Sequence, residues 1–146
     1  VGDGNNMMNS LIVGGLKTGM AVSVAYPEGY SPADEVMEFA SSYDNFVCTN
    51  DPKEAAKDSD VIITDVWTSM GQETESAERK RIFGKFCVNS DLMNAAKKDA
   101  IVQHCLPAHK GEEISAEVFE NNAEYIFEEA ENRLHVQKAI LAKLMK

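Results

Sequence analysis

The sequence predicts an α/β fold in which helices cover both faces of a mainly parallel sheet. Three observations support this prediction. Short apolar runs alternate with amphipathic stretches along the 146 residues, which is the pattern of repeated βα units. Residues 60–66 form a nearly continuous β-branched run, as in a parallel strand that is buried on both faces. The composition, 44% hydrophobic and 26% charged, is that of an ordinary globular domain.

The strands are predicted at residues 21–26, 45–49, 60–66 and 100–105, with a short fifth strand at 124–127. Pro27 ends the first strand and Pro107 ends the fourth, because proline cannot donate a hydrogen bond to a sheet ladder. At the start of the chain, Val1 precedes the turn-like segment GDGNN and would be all that remains of an earlier strand. We therefore expect a sheet that is truncated at its first strand, in the C-terminal part of a longer chain.

Amphipathic helices are predicted between the strands. In the first helix, Met8, Leu11, Ile12 and Leu16 recur on one face, and Gly19 is a stop signal. Other helices are expected after residues 31 and 51, over the charged stretch 73–86, and after residue 115. The last helix is expected from about residue 132 to 145, opened by the segment EAENR at 129–133.

The charge balance, 14 Lys and Arg against 24 Asp and Glu, gives a net charge of −10. Such an acidic chain does not suit nucleic acid or an anionic membrane as a partner. The cysteines, Cys48, Cys87 and Cys105, are widely spaced and form no C-x-x-C pair, which favours a reducing compartment. His104, Cys105 and His109 lie close together in sequence, but their spacing does not favour a zinc site.

The glycine-rich segment GDG at 2–4 is half of a dinucleotide-binding fingerprint. The full motif has a third glycine, and Met7 stands in that place. Asn5 and Asn6 follow at the start of a helix, where exposed N–H groups attract a carboxylate or a phosphate. Alternatively, one of these asparagines simply caps the helix. The residues alone leave both interpretations open.

Asp65 lies at the carboxyl end of a predicted strand, where open α/β sheets bind ligands. A carboxylate that closes an apolar strand is suited to bind an ammonium group. The segment that follows, VWTSMG at 66–71, contains the only tryptophan, Trp67, and ends in a glycine that suits a loop hinge. The alternative is that Trp67 anchors the loop as a structural residue.

The segment HCLP at 104–107 ends the fourth strand at the same edge. Because adjacent strand residues point to opposite faces, His104 and Cys105 do not form a nucleophile–base pair unless the strand breaks there. A buried structural cysteine is the alternative. From its place at the edge, we expect Cys105 to be the most accessible thiol. Arg133, expected in the first turn of the final helix, opposes the helix dipole, which indicates an anionic or carbonyl partner or a salt bridge to a nearby glutamate.

Taken together and in this order, four segments resemble the ornithine carbamoyltransferase family. The segments are GDGNN (2–6), DVWTSMG (65–71), HCLP (104–107) and EAENR (129–133). The resemblance covers essentially the whole chain and implies a Rossmann-like three-layer αβα sandwich. It makes residues 1–146 the C-terminal, ornithine-binding domain and implies an N-terminal carbamoyl-phosphate domain that this sequence lacks. Cys105, where aspartate-specific members typically have proline, and the SMG loop, which putrescine-specific members lack, favour ornithine.

The resemblance also implies a reaction and residue roles. The δ-amine of L-ornithine takes the carbamoyl group of carbamoyl phosphate, which gives citrulline and phosphate without a metal or organic cofactor. The residues expected to bind the α-amino and α-carboxylate groups of ornithine are Asn6, Asp65, Ser69 and Met70. Those expected at carbamoyl phosphate are Cys105, Leu106 and Arg133. Those expected to act in catalysis are Cys105, Asp65 and Arg133.

The family's phosphate-binding motifs, STRT and HPxQ, do not occur in this sequence. We therefore expect the chain alone to be inactive, and to act with the family's other domain in a homotrimer. The expected compartment is the cytoplasm, or the mitochondrial matrix in a eukaryote. Two alternatives remain open. One is the nucleotide-binding domain of a dehydrogenase, in which Glu28 would hold a ribose, and the other is a regulatory module that keeps the fold without activity.

Overall fold

The computed structural model describes residues 1–68 and 73–145 and consists of short strands between helices. The strands are β1 (Val22–Ala25), β2 (Phe46–Thr49), β3 (Val61–Thr64) and β4 (Ile101–His104). The helices are α1 (Asn6–Lys17), α2 (Asp34–Ser41), α3 (Pro52–Ala56), α4 (Ser76–Phe83), α5 (Ser90–Met93), α6 (Ala116–Asn121) and α7 (Ala123–Leu144). Two 3₁₀ turns, Glu73–Glu75 and Gly84–Phe86, flank α4. The strands β1–β4 all lie within the ranges that the sequence predicts.

The sheet is made of two parallel pairs that meet at the first residues of the chain. β1 pairs with β2, and β3 pairs with β4. Between the pairs, the amino group of Val1 donates a hydrogen bond to the carbonyl oxygen of Ile63 (2.8 Å). The N–H of Gly2 donates to the carbonyl oxygen of Ala25 (2.9 Å). Val1 and Gly2 thus lie between β1 and β3 and connect the two strand pairs.

Helices cover both faces of the sheet, which confirms the three layers. Adjacent strand residues point to opposite faces. On β1, Val24 packs with α1 and α2, whereas Ala25 packs with Ala55 of α3 and with Phe86. The largest buried cluster joins β3 and β4 to α5, α6 and α7. Among the helices of the described residues, none combines the length and the apolar character needed to cross a membrane.

Gly4 shows why the first turn is rich in glycine. Its N–H donates a hydrogen bond to the carbonyl oxygen of Tyr30 (3.0 Å). A β-carbon at this position would lie 2.3 Å from backbone atoms of Ser31 and Pro32. Only glycine fits this close approach of two backbone segments. Packing within the chain therefore accounts for the second glycine of the half-fingerprint, without a bound phosphate.

The C-terminal part of the chain differs from the prediction. Residues 124–127, predicted as a fifth strand, belong to α7, which begins at Ala123 and not near residue 132. The run of Tyr125, Ile126 and Phe127 was ambiguous, because a short apolar run has no measurable period. In the structure Ile126 is buried, whereas Tyr125 and Phe127 are exposed. No glycine or proline interrupts residues 123–144, so the helix runs through them.

Candidate functional site

The carboxylate of Asp65, directly after β3, joins several segments at the carboxyl edge of the sheet. Its Oδ2 accepts a hydrogen bond from Nδ2 of Asn5 (2.8 Å). Its Oδ1 accepts from the thiol of Cys105 (3.1 Å) and from the N–H of Val66 (2.8 Å). We call Asn5, Asp65 and Cys105 the strand-edge cluster. The structure thus brings Asp65 and Cys105 together, as their places after two paired parallel strands predict.

Of the two asparagines at the start of α1, Asn5 is the capping residue. Its Oδ1 accepts hydrogen bonds from the N–H groups of Met7 (3.0 Å) and Met8 (3.2 Å). The same side chain also donates to Asp65, so the cap and the cluster share one residue. Asn6, which is expected at ornithine, is the first residue of α1 and has an exposed side chain. The capping interpretation is therefore correct for Asn5, while Asn6 faces solvent.

The contacts of Cys105 keep its thiol in the neutral form. Burial, the hydrogen bond to Asp65 and the charges of Asp65 and Glu129 raise the pKa of Cys105 to about 12. Such a thiol is a weak nucleophile near neutral pH, because the thiolate is the reactive form. Cys105 is half-buried, whereas Cys48 on β2 is exposed. The expectation that Cys105 is the most accessible thiol is therefore wrong, because the contacts that hold it in the cluster also shield it.

The surroundings of the cluster are negatively charged. Burial raises the pKa values of Asp3 and Glu129, and the charge of Asp65 raises them further. Asp3 is paired with Arg79 at 2.9 Å. Within the described residues, Asp65 and Glu129 form no salt bridge with a cationic side chain. This arrangement favours a ligand that brings a positive charge, such as an ammonium group.

Arg79 is a buried residue of this edge that sequence reasoning missed. Its Nη1 donates hydrogen bonds to Asp3 (2.9 Å) and to the carbonyl oxygen of Trp67 (2.8 Å), and its Nε donates to Glu75 (3.2 Å). Trp67 is buried and stacks on Phe83, with ring centroids 5.9 Å apart. The structural interpretation of Trp67 as an anchor of its loop is confirmed. The sequence pattern did not single out Arg79, because an arginine in a charged helical stretch is expected to face solvent.

His104 and Cys105 have separate partners, as the strand argument predicts. His104 is fully buried, and its Nε2 lies 3.1 Å from Oε1 of Glu113. Cys105 instead contacts Asp65. β4 ends at His104, and Leu106 has a φ of 57°, a left-handed conformation that turns the chain away from the strand. Leu106, expected at the carbamoyl group, is half-buried at this turn.

Arg133, the third expected catalytic residue, lies on α7. It is near the middle of α7, so it is not in a first helical turn, and the argument from the helix dipole is wrong. Its side chain is exposed. No hydrogen bond or ion pair among residues 1–68 and 73–145 links it to Asp65 or Cys105. Ser69 and Met70, expected at ornithine, lie outside the described residues.

Possible metal ligands form two groups in the part of the chain that the structure describes. The first group, with ligand atoms within 4.8 Å of one another, is Asp65, His104 and Cys105. The second, by the same measure, is His109, Glu112 and Glu113. The set suggested by sequence proximity, His104, Cys105 and His109, is therefore divided between them. In both groups, hydrogen bonds within the chain already engage ligand atoms, as between Cys105 and Asp65 and between His104 and Glu113.

Comparison with known proteins identifies the family. Residues 1–144 match the family model described as aspartate/ornithine carbamoyltransferase, Asp/Orn binding domain. The chain belongs to this family. Among curated relatives, the ornithine carbamoyltransferase of Methanosarcina mazei is 52% identical over 100% of the chain. That of Pyrococcus abyssi is 51% identical over 99% of the chain.

Solved structures agree with this carbamoyltransferase assignment. The anabolic ornithine carbamoyltransferase of Campylobacter jejuni matches 98% of the chain with a TM-score of 0.93 and 44% identity. The ornithine carbamoyltransferase of Pyrococcus furiosus matches 97% with a TM-score of 0.88 and 49% identity. The predicted Rossmann-like fold is confirmed, and the dehydrogenase alternative gains no support. The chain spans about half the length of its relatives, 49% of the M. mazei protein and 47% of the P. abyssi protein.

Proposed function

We propose that this chain is the ornithine-binding domain, over residues 1–146, of an ornithine carbamoyltransferase. The enzyme would transfer the carbamoyl group of carbamoyl phosphate to the δ-amine of L-ornithine. Two findings support the proposal: relatives about 50% identical carry this name, and the strand-edge cluster is acidic. The observation that carries it is the Asp65 carboxylate, which Asn5 and Cys105 hold in place while its charge lacks a cationic partner among the described residues.

In this proposal the carboxyl edge of the sheet binds the amino-acid end of ornithine. Asp65 takes the α-ammonium group through a charge-assisted hydrogen bond. Asn6 contributes its exposed amide to the α-carboxylate, at a helix start where backbone N–H groups also attract anions. Ser69 and Met70 are assigned to the same substrate by the family resemblance.

The reacting atoms would lie beside Cys105 and Leu106. The neutral δ-nitrogen of ornithine forms a bond to the carbamoyl carbon, the bond from that carbon to the phosphate oxygen breaks, and the nitrogen loses a proton. Arg133 stabilises the negative charge that develops on the carbamoyl oxygen. A thiol with a pKa of about 12 is a hydrogen-bond donor and not a nucleophile. Cys105 therefore orients Asp65 and the incoming amine without forming a covalent intermediate.

The remaining parts of the active site belong to a partner domain in this proposal. The phosphate-binding motifs STRT and HPxQ do not occur in residues 1–146, so the carbamoyl-phosphate domain of the same enzyme would supply them. The full enzyme would act as a homotrimer, without a metal or organic cofactor. Its compartment would be the cytoplasm, or the mitochondrial matrix in a eukaryote.

The test measures citrulline formation from carbamoyl phosphate and ornithine, with the full-length protein and with the 146-residue chain in parallel. We expect product from the full-length protein and none from the chain alone. No product from the full-length protein would contradict the proposed reaction and favour the regulatory-module hypothesis. A comparable rate from the chain alone would contradict the division of the site between two domains.

A further inference from the structure

A buried pair of titratable side chains lies behind the strand-edge cluster. His104, the last residue of β4, and Glu113 are both 0% exposed, and their Nε2 and Oε1 atoms are 3.1 Å apart. Neither residue has a role in the reaction proposed above. Burying a histidine and a carboxylate is costly unless they satisfy each other, so their position next to Cys105 calls for a physical reason.

The hydrogen bonds around His104 define which ring nitrogen carries the proton. The N–H of Leu106 donates to Nδ1 of His104 at 2.9 Å, so Nδ1 is an acceptor and is unprotonated. The ring proton is therefore on Nε2, which donates to Oε1 of Glu113. The imidazole thus connects the backbone just after Cys105 to one carboxylate oxygen.

The same oxygen of Glu113 also contacts the other end of the loop formed by residues 105–109. Oε1 accepts a second hydrogen bond from the N–H of His109, at 2.5 Å. The other oxygen, Oε2, is buried and has no hydrogen-bond partner among the described residues. Both hydrogen bonds that link Glu113 to the 105–109 loop therefore end on Oε1, while Oε2 lies 3.9 Å from Nδ1 of His109.

Glu113 itself stands on a fixed backbone. Its carbonyl oxygen accepts a hydrogen bond from the N–H of Val88 (2.8 Å), and the N–H of Ser115 donates to the carbonyl oxygen of Val88 (3.0 Å). The next residue, Ile114, is fully buried in the largest core cluster. The Glu113 carboxylate is therefore attached to a rigid backbone, whereas the residues of the 105–109 loop are partly exposed.

We infer that Glu113 is a positioning residue: through His104 and the N–H of His109, its Oε1 sets the path of the Cys105–Leu106 loop. The conformation of this loop in turn orients the Cys105 thiol toward Asp65. It also places the backbone of Leu106 beside the carbamoyl carbon. The kinetic consequence rests on the proposed carbamoyl transfer, whereas the hydrogen-bond arrangement does not. Because the links depend on the position of one oxygen, acceptor geometry matters here and the negative charge does not.

Two substitutions separate position from charge. Glu113→Gln keeps an oxygen at the Oε1 position and removes the charge. Glu113→Asp keeps the charge and withdraws the oxygen by about 1.5 Å, one carbon–carbon bond. In the full-length protein we expect Glu113→Gln to retain most of the wild-type kcat. We expect Glu113→Asp to lower kcat about 100-fold, the cost of a displacement of about 1 Å at reacting groups. The KM for ornithine should change less than kcat, because Asp65 keeps its hydrogen bonds from Asn5 and from the N–H of Val66.

Glu112 offers a matched control on the same segment. Its carboxylate pairs with Lys80 at 2.7 Å near the surface, so Glu112→Gln and Glu112→Asp should leave kcat unchanged. Thermal unfolding of every variant checks that the fold is intact. A larger loss of kcat in Glu113→Gln than in Glu113→Asp would overturn the inference, and so would wild-type kcat in both variants.

A spectroscopic measurement tests the arrangement without reference to activity. Nitrogen-15 NMR of the imidazole should show His104 protonated on Nε2 only, in the wild type and in Glu113→Gln. Protonation on Nδ1, alone or together with Nε2, would overturn the inference, even if Glu113→Asp does not fold. Absence of citrulline formation in the wild type, with the Nε2 form present, would contradict the proposed reaction and leave the hydrogen-bond arrangement supported.

Discussion

The strand-edge cluster and the outer part of α7, residues 131–144, carry expected site residues in opposite physical settings. In the cluster, Asn5 and Cys105 contact Asp65 at 2.8 and 3.1 Å, and buried elements support all three. In the outer part of α7, every side chain is exposed, including Arg133. The exposed large apolar side chains there are Leu134, Val136, Ile140, Leu141 and Leu144.

This difference shows which part of the proposed site the chain organises by its own folding. The side that would bind the amine is held by hydrogen bonds among residues far apart in sequence, so it is ready before a ligand arrives. An exposed arginine keeps its rotamer freedom, and ordering it costs entropy. Among residues 1–68 and 73–145, no hydrogen bond or ion pair holds the side chain of Arg133.

The largest expected effect contrasts a core residue behind the cluster with a residue of the outer helix. Phe83 is 0% exposed and stacks on Trp67, so Phe83→Ala should cost about 3–5 kcal/mol of unfolding free energy. Leu144 is 76% exposed, so Leu144→Ala should change stability by less than about 0.5 kcal/mol. Urea unfolding of the 146-residue chain measures both. A similar loss of unfolding free energy in both variants would contradict this contrast, because it would mean that the outer part of α7 is covered in solution.

The next effect is on ligand binding by the cluster. Asp65→Asn keeps the shape of the side chain and removes the charge that would bind the α-ammonium group of ornithine. We expect a loss of about 1.5–3 kcal/mol, or roughly 10- to 150-fold in ornithine affinity. Calorimetric titration of the full-length protein measures this, and binding of carbamoyl phosphate should be nearly unchanged. The control is Asp60→Asn, which removes a surface pair with Lys97. Wild-type ornithine affinity in Asp65→Asn would exclude the proposed role.

The third comparison is between two thiols, Cys105 in the strand-edge cluster and Cys48 on β2. At about pH 8, an alkylating reagent should modify Cys48 about tenfold faster than Cys105 or more, because Cys48 is exposed and the neutral Cys105 thiol is unreactive. Reactivity of Cys105 should rise as the pH approaches its pKa of about 12. Asp65→Asn should speed its modification, since removing the adjacent charge lowers the pKa of Cys105. Peptide mapping assigns the label, and faster labelling of Cys105 than of Cys48 in the wild type would be evidence against the hydrogen bond to Asp65.

The smallest effect separates two adjacent asparagines. Asn5 caps α1 and bonds to Asp65, so Asn5→Ala should cost about 1 kcal/mol of unfolding free energy, within the range for a lost cap. Asn6 has an exposed side chain, so Asn6→Ala should leave stability unchanged and weaken ornithine binding in the full-length protein. Thermal unfolding and calorimetric titration measure the two. Equal stability losses would show that Asn5 is not the cap.

Local sequence signals predicted β1–β4, their parallel arrangement and the edge at which Asp65 and Cys105 meet. These features depend on local signals: β-branched runs form strands, proline and glycine end them, and parallel strands place their carboxyl ends together. The positions of Asp65 and Cys105 followed from that logic, and the order of four short segments indicated the family before any comparison. Local signals failed at residues 124–127, where a three-residue apolar run suited a strand or a helix equally.

Which polar groups are buried, and what they bind, depends on contacts between residues far apart in the sequence. Arg79 contacts Asp3 across 76 positions of sequence, Asn5 contacts Asp65 across 60, and Cys105 contacts Asp65 across 40. A charge on an amphipathic helix looks the same whether it meets water or a buried carboxylate, so the pattern could not reveal Arg79. For the same reason it could not reveal the raised pKa of Cys105 or the buried role of Glu113. Desolvation and hydrogen bonding depend on which groups become neighbours in the folded chain, and the periodicity of the sequence does not predict those neighbours.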